Sequence, residues 1–210
     1  MKVYSNAEKS WQEVIDEKNY PWLYIVNIPT ILKQGNMYLH LAAETGQIEA
    51  FKIAFSEEKD KNITNEHGKT SLHRACTRGR INIVQWLLLK NNDLKININA
   101  EDDHGIDVIA KSKCGETAFF LACRYGHLDV VKFLMENAAA FRIDLNEKVI
   151  DSLGYTVFHW ACYVGQTDIV KIFMENAAAL SIDLNSQCNS GWTAFHIACS
   201  LNNIDVVKIF

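Results

Sequence analysis

A nine-residue pattern recurs along the chain and constrains its fold more than any other feature. The pattern reads GKTSLHRAC from Gly68, GETAFFLAC from Gly115, GYTVFHWAC from Gly154 and GWTAFHIAC from Gly191, with a weaker copy, GNMYLHLAA, from Gly35. Successive copies begin 33 to 47 residues apart. Self-similarity at a period of roughly 20–50 residues is typical of a solenoid, in which each unit completes its core against its neighbours.

Composition and charge exclude several classes of protein. The chain has 210 residues, of which 49% are hydrophobic and 22% are charged, as in ordinary folded domains. Its formal net charge of −4 argues against a general binder of nucleic acids or anionic membranes. Residues 1–10 are polar and lack the apolar core of a signal peptide, and no apolar run approaches the roughly 18 residues that span a bilayer. We therefore expect a cytoplasmic or nuclear protein without direct membrane insertion.

Four of the six cysteines fall at one and the same position of the repeat, namely Cys76, Cys123, Cys162 and Cys199. In a stack of units, equivalent positions lie about one repeat apart and each faces its own neighbour, which is a poor arrangement for disulfide pairing. Unpaired cysteines in such positions are usually small, apolar and buried. We expect these thiols to be buried and slow to react.

The third copy of the pattern shows what each unit contains. Gly115 suits a tight turn that needs positive φ, and Thr117 can cap the helix that follows. Gly126 is placed to end that helix in a left-handed conformation. A second amphipathic run begins near Leu128, and an extended stretch at 143–146 precedes the next glycine. Each unit is therefore predicted to be a turn, two short helices and an extended finger.

With these motifs in register, the chain resembles ankyrin-repeat proteins from about Gly35 to Phe210. The resemblance implies an all-α ankyrin solenoid of stacked helix-turn-helix units with β-hairpin-like fingers. It also implies that the recurrent histidine hydrogen-bonds the turns of adjacent repeats. This sequence departs from the family pattern in having no proline after the recurrent threonine, in Phe120 replacing the histidine of the third repeat, and in Asn202 replacing the inter-helix glycine of the fifth.

Repeat spacing leads to a domain prediction. Residues 35–210 are predicted to form about five repeats, the last one truncated, and residues 1–34 a divergent N-terminal capping unit, with an independent short extension as the alternative. Because the last helix stops at Phe210, we expect its apolar face to be exposed and further C-terminal repeats or domains to follow. The isolated chain should then fray or self-associate at this end.

The spacing within repeats gives two further predictions. Four extra residues in the second to fourth repeats, with the alanine runs Ala138–Ala140 and Ala177–Ala179, predict second helices that are one turn longer. The longer connection between Asn99 and Gly115 is predicted to project as an acidic loop.

Histidine–cysteine pairs three residues apart on one helix, such as His73 and Cys76, raise the possibility of zinc ligands. The three such pairs fall in the second, fourth and fifth repeats, however, so they are spread along the stack instead of converging on one ion. We therefore predict no metal site, no cofactor and no catalytic residue. The finger asparagines Asn99, Asn146 and Asn185 have two interpretations: residues that stabilise turns, which we favour, or substrates of an asparaginyl hydroxylase, as the family resemblance implies.

The function predicted is a non-catalytic protein–protein interaction scaffold or adaptor that binds a protein partner on its concave face. The alternative is a targeting or regulatory ankyrin segment of a larger enzyme, channel or effector truncated at residue 210. Ankyrin-like stacks bind through turn tips and the exposed end of each first helix. The predicted interface is therefore Lys69, Arg78, Glu116, Arg124, Tyr125, Tyr155, Tyr163, Val164, Trp192 and Leu201. The alternative reading of its aromatic residues is that they pack between repeats.

Overall fold

The computed structural model describes residues 37–89, 106–149 and 153–210. Within these ranges the chain forms ten helices in five consecutive pairs. The pairs are α1 (Met37–Thr45) and α2 (Ile48–Glu57), α3 (Ser71–Thr77) and α4 (Ile81–Leu89), α5 (Ala118–Arg124) and α6 (Leu128–Glu136), α7 (Val157–Val164) and α8 (Thr167–Asn176), and α9 (Ala194–Ser200) and α10 (Ile204–Val207). The predicted capping unit at 1–34 and the acidic segment of the long connection lie outside the described residues.

The helices are arranged in two layers. The first helices of the pairs, which we call the inner helices, pack one on the next from α1 to α9, and the second helices, the outer helices, form a parallel row from α2 to α10. The core lies between the layers and contains fully buried Leu72, Leu121 and Phe158 from the inner row and Leu87 and Leu134 from the outer row. The predicted all-α solenoid of stacked helix pairs is confirmed.

Threonine and glycine delimit the inner helices as the sequence predicts. The Oγ1 atom of Thr117 accepts a hydrogen bond from the backbone N–H of Phe120 at 3.2 Å, which satisfies one of the unpaired donors at the start of α5. Thr70 and Thr156 cap α3 and α7 in the same way. At the other end, Asn202 adopts a φ of 56° in place of the usual glycine, which confirms it as a left-handed substitute.

Where the structure describes them, the fingers are hairpin-like turns without regular strands. Ser112 N–H donates to the Glu116 carbonyl at 2.9 Å, and Asn65 and Cys188 make the same bond to the residue four positions on. Neighbouring fingers also pair, because Lys113 N–H donates to the His67 carbonyl at 3.0 Å. In the described ranges the only bridge of β type joins Lys148 and Thr156.

The prediction of longer outer helices is wrong for the third and fourth repeats. Helices α6 and α8 have 9 and 10 residues, against 10 in α2, and the alanine runs form a separate turn after each helix. The Asn137 side chain donates to the Phe133 carbonyl at 2.8 Å, and the turn closes at Arg142 with a φ of 54°. Local hydrogen bonding by asparagine thus overrides the helix propensity of alanine.

Cysteine burial follows position in the stack. All six cysteines are free thiols, and Cys76, Cys123 and Cys162 are fully buried under the next inner helix. Cys199 is exposed, so its predicted burial is wrong, because among the described residues no helix packs on that side of α9. Ile204 and Phe210 on the same terminal face are 53% and 44% exposed, as expected.

Candidate protein-binding surface

The residues predicted to form the interface line the edge where inner helices and fingers meet. We call this surface the inner face, and it comprises the turn residue after each repeat glycine and the last two turns of each inner helix. Side chains reach between neighbouring repeats all along it. Its first half is charged and its second half is aromatic.

Glu44, at the end of α1, holds two arginines of the next repeat. Arg78 Nε donates to Glu44 Oε1 at 2.8 Å, and Arg74 pairs with the other carboxylate oxygen. Burial alone would raise the pKa of the Glu44 carboxyl, but the hydrogen bond from Arg78 and the charges of both arginines outweigh it and lower that pKa. The carboxylate therefore stays ionised and fixes both guanidinium groups.

Glu116 has a similar role between the second and third repeats. Its carboxylate lies 2.8 Å from Lys69 Nζ and 3.0 Å from Arg124 Nη1, and its side chain is only 11% exposed. Ser112 Oγ donates to it at 3.4 Å. Glu116 is thus brought together with Lys69 and Arg124, as a largely buried bridge between the two cations.

The second half of the inner face is a cluster of rings. Trp160 lies 5.2 Å from Tyr163 and 5.9 Å from Tyr155 between ring centroids, in edge-to-face geometry. The guanidinium of Arg124 lies over Trp160 at 5.3 Å and over Tyr125 at 5.8 Å. Arg124 therefore joins the charged and aromatic halves by cation–π contact.

Exposure separates the predicted residues further. Tyr125, Tyr163, Val164, Trp192 and Leu201 are between 43% and 49% exposed, which is high for large apolar side chains. Among the described residues, however, no ring contact joins Trp192 to the cluster around Trp160. Trp192 is therefore not part of that ring cluster.

His73 and His159 tie their inner helices to the turn of the next repeat. His73 Nε2 lies 3.0 Å from the Glu116 carbonyl, and His159 Nε2 lies 3.1 Å from the Trp192 carbonyl. The Thr70 backbone N–H donates to His73 Nδ1 at 3.2 Å, so Nδ1 must accept and the proton must lie on Nε2. Burial lowers the pKa of both histidines. Both ring nitrogens are therefore occupied, which confirms the bridging role.

A scan against family models matches the description "Ankyrin repeats" in three copies, at residues 21–102, 101–185 and 142–210. Together the copies cover most of the chain. The chain belongs to the ankyrin repeat family. Ankyrin repeats are protein-interaction modules, which makes the inner face of this ankyrin chain its candidate functional site.

The curated relatives carry similar segments within much longer proteins. The ankyrin chain is 26% identical over 133 residues to alpha-latroinsectotoxin-Lt1a of Latrodectus tredecimguttatus, covering 63% of the chain and 8% of that protein. It is 29% identical over 105 residues to human transient receptor potential cation channel subfamily A member 1, covering 50% and 8%. It is 29% identical over 119 residues to the mouse serine/threonine-protein kinase TNNI3K, covering 55% and 12%. The chain thus spans about a tenth of the length of these relatives.

One finger asparagine of the ankyrin chain, Asn146, has a structural use. Asn146 Nδ2 donates to the Ser181 carbonyl at 2.9 Å, and its Oδ1 accepts from the Asp183 backbone N–H at 2.8 Å. The side chain thereby links two repeats, which favours the structural interpretation over the modification. Asn99 lies outside the described residues.

Three inner-face residues were missed from the sequence. Trp160, Glu44 and Arg74 stand at repeat positions that the interface rule left out. Trp160 precedes Tyr163 by three residues on one helix, so helical spacing alone could have placed both on one face. The ion pair between Glu44 and Arg74 joins two repeats, so no short sequence pattern indicates it.

Two observations concern other classes of site. Across the described ranges, histidine, cysteine and carboxylate side chains do not gather into a group of three or more that could hold a metal ion. None of the helices in these ranges combines the length and the apolar character needed to cross a bilayer.

Proposed function

We propose that this ankyrin chain is a non-catalytic scaffold or adaptor module that binds a protein partner on its concave inner face. The observation that carries the proposal is the ring cluster of Tyr155, Trp160 and Tyr163 beside Arg124. Tyrosine, tryptophan and arginine are the residues most enriched at binding hot spots. A partner covering this cluster would bury apolar surface that the chain leaves in water.

The alternative interpretation is that these rings only pack between repeats. Trp160 does contact Phe120 of the preceding repeat, with 5.7 Å between ring centroids. Tyr163 makes its ring contacts only within its own repeat in the described residues, and it is 43% exposed. Packing between repeats therefore accounts for some of the cluster and leaves Tyr163 available to a partner.

A matched pair of substitutions tests the proposal. Tyr163 and Phe210 are exposed aromatic residues with nearly equal exposure, 43% and 44%, but only Tyr163 lies on the inner face. The full chain and both alanine variants are used as baits in cell extract, and bound proteins are quantified by mass spectrometry. The affinity of a partner for the Tyr163→Ala variant should fall by roughly 2 kcal/mol, or about thirtyfold in Kd. Its affinity for the Phe210→Ala variant should stay that of the unmodified chain.

Stability must be measured on the same variants. Tyr163→Ala should cost only about 1 kcal/mol of unfolding free energy, whereas Leu134→Ala, which opens a cavity in the core, should cost about 2–5 kcal/mol. If Tyr163→Ala unfolds the chain while binding per folded molecule stays intact, the ring cluster is core and the proposal fails.

A second candidate function is a targeting or regulatory ankyrin segment of a larger enzyme, channel or effector. It is favoured by the relatives, which include a channel and a kinase and of which the chain spans about a tenth. Sequencing the transcript through the codon for Phe210 tests it. An encoded catalytic or pore-forming domain would establish this function, and a stop codon there would exclude such a domain downstream.

A further inference from the structure

Carboxylates and cations occupy different depths on the inner face. The Glu116 side chain is 11% exposed, whereas its partner Arg124 is 39% exposed. The Glu44 side chain is 19% exposed, and its partner Arg78 is 55% exposed. The two acids therefore lie underneath and are neutralised by ion pairs, and Arg78 and Arg124 are the outer charged groups that an approaching molecule meets.

The charge balance of this surface is opposite to that of the whole chain. The formal net charge of the chain is −4. In the ion-paired region of the inner face, two carboxylates, Glu44 and Glu116, face four cations, namely Lys69, Arg74, Arg78 and Arg124. A local positive surface on an acidic protein selects acidic partners and disfavours basic ones.

Arg124 is held ready for a carboxylate. Glu116 fixes one of its nitrogens, and the rings of Trp160 and Tyr125 support its plane. An arginine has five N–H donors, and among the described residues Arg124 spends one of them on Glu116. The remaining donors can bind a carboxylate side by side, and little side-chain entropy is lost because the guanidinium is already ordered.

The apolar neighbour of this anion site is Tyr163. Its ring is 5.2 Å from Trp160, which in turn lies 5.3 Å from the Arg124 guanidinium. In an extended peptide, side chains on one face are spaced by about 6.6–6.8 Å for every second residue. A ligand that uses both sites therefore needs its acidic and apolar side chains two to four positions apart.

We infer that the inner face binds an extended acidic peptide segment of a partner protein. Its aspartate or glutamate side chain pairs with Arg124, and a bulky apolar side chain two to four residues away packs on Tyr163 and Trp160. This inference rests on the proposed function and adds the chemistry of the partner. A cationic side chain does not fit, since the rings touch one another at 5.2–6.1 Å and Arg124 covers them.

The test is an unbiased selection of a random 12-residue peptide display library on the immobilised full chain. Enriched peptides should carry an acidic residue two to four positions from Phe, Leu, Trp or Tyr. A synthetic copy of the top peptide should bind Arg124→Gln about ten- to hundredfold more weakly, the range expected for a charge-assisted hydrogen bond. Arg142→Gln is the matched control, because Arg142 is an exposed arginine on the turn after outer helix α6. Arg78→Gln, which leaves Glu116 and its partners intact, should also weaken binding of the peptide, and increasing salt should weaken its binding to the unmodified chain.

Each outcome has a distinct meaning. Enriched peptides without acidic residues, weakened by Tyr163→Ala but not by Arg124→Gln, would overturn the acidic-peptide inference and leave the proposed inner-face function standing. Peptides that bind Tyr163→Ala and Arg124→Gln as tightly as the unmodified chain would overturn both. Failure to enrich any peptide would overturn the inference, since an ordered site of this kind should select ligands.

Discussion

His127 Nε2 lies 2.8 Å from the carbonyl oxygen of Thr77, the last residue of the preceding inner helix. The carbonyl can only accept, so the imidazole donates and satisfies one of the open acceptors at the helix end. The sequence places His127 directly after a turn glycine and so suggests a residue that faces solvent, which is wrong. Gly79 makes room for the ring, because a Cβ there would lie 2.5 Å from His127 Nδ1.

His127→Ala should therefore destabilise the chain, although the residue starts an outer helix. Loss of the bond leaves the Thr77 carbonyl without its donor, which costs about 1–3 kcal/mol. Urea unfolding followed by helical circular dichroism measures the change. His67→Ala is the control, because His67 is an exposed finger residue. Equal unfolding free energies for the two variants would show that the link between repeats contributes nothing.

Glu116→Gln should also destabilise the chain. The substitution removes the negative charge between Lys69 and Arg124 and leaves two cations facing each other at the same bridge. We expect a loss of about 1–3 kcal/mol that becomes smaller at high salt. Glu66→Gln, at a side chain that is 85% exposed, is the control and should leave the urea midpoint unchanged. A salt-independent loss would point to packing as its cause.

Acid should weaken the stack through its buried histidines. Burial lowers the pKa of His73 and His159 in the folded chain, while unfolding restores the ordinary value of about 6.5. Below that pH the unfolded chain binds more protons than the folded chain, so the free energy of unfolding falls as pH decreases towards the folded pKa values. Above it, these two groups contribute no pH dependence.

Urea titrations across this pH range measure the effect. His73→Gln should lower stability near neutral pH, because the imidazole bridge is lost, and should also flatten the dependence on pH. Parallel curves for the variant and the unmodified chain would mean that His73 does not titrate as its burial indicates. Imidazole NMR shifts of the folded chain give the individual pKa values directly.

Five of the six thiols should fall into fast and slow classes with Ellman's reagent. Burial raises the pKa of the Cys162 thiol to about 12 and also raises that of Cys76 and Cys123, so these three should react slowly. Exposed Cys114 and Cys199 should react quickly. All six should react in denaturant, which controls for the reagent. Fast reaction of Cys162 in the native chain would contradict the packing of α7 against α9.

Residues that recur at a fixed repeat position could be predicted from the sequence, because one residue type fills one role. The capping threonines, the turn glycines and the bridging histidines are of this kind. A second set of hydrogen bonds that link neighbouring repeats could not be predicted, because four different residue types fill the same role. In each link a side chain that follows the inter-helix turn donates to the end of the preceding inner helix; the donors are Arg80, His127, Gln166 and Asn203.

For the residues of the inner face, the sequence indicates exposure but not the contacts between them. Exposure of Tyr125 and Tyr163 follows from their place at the end of an inner helix. The buried bridge formed by Glu116 joins residues 47 and 8 positions away in sequence, Lys69 and Arg124, so no periodic pattern signals it. Helix propensity alone does not predict the alanine turns, because the side chains of Asn137 and Asn176 hydrogen-bond to backbone carbonyls at the end of each outer helix.

The central claim is that the inner face receives the partner, and amide hydrogen exchange on the full chain tests it most directly. Exchange is measured by mass spectrometry with and without a saturating peptide from the selection. When the ligand is bound, we predict slower exchange in the proteolytic fragments of the chain that contain Arg124, Tyr125 and residues 155–164. Exchange in outer helices α4, α6 and α8 should be unchanged. Protection confined to the outer helices or to the terminal face around Phe210 would contradict the account.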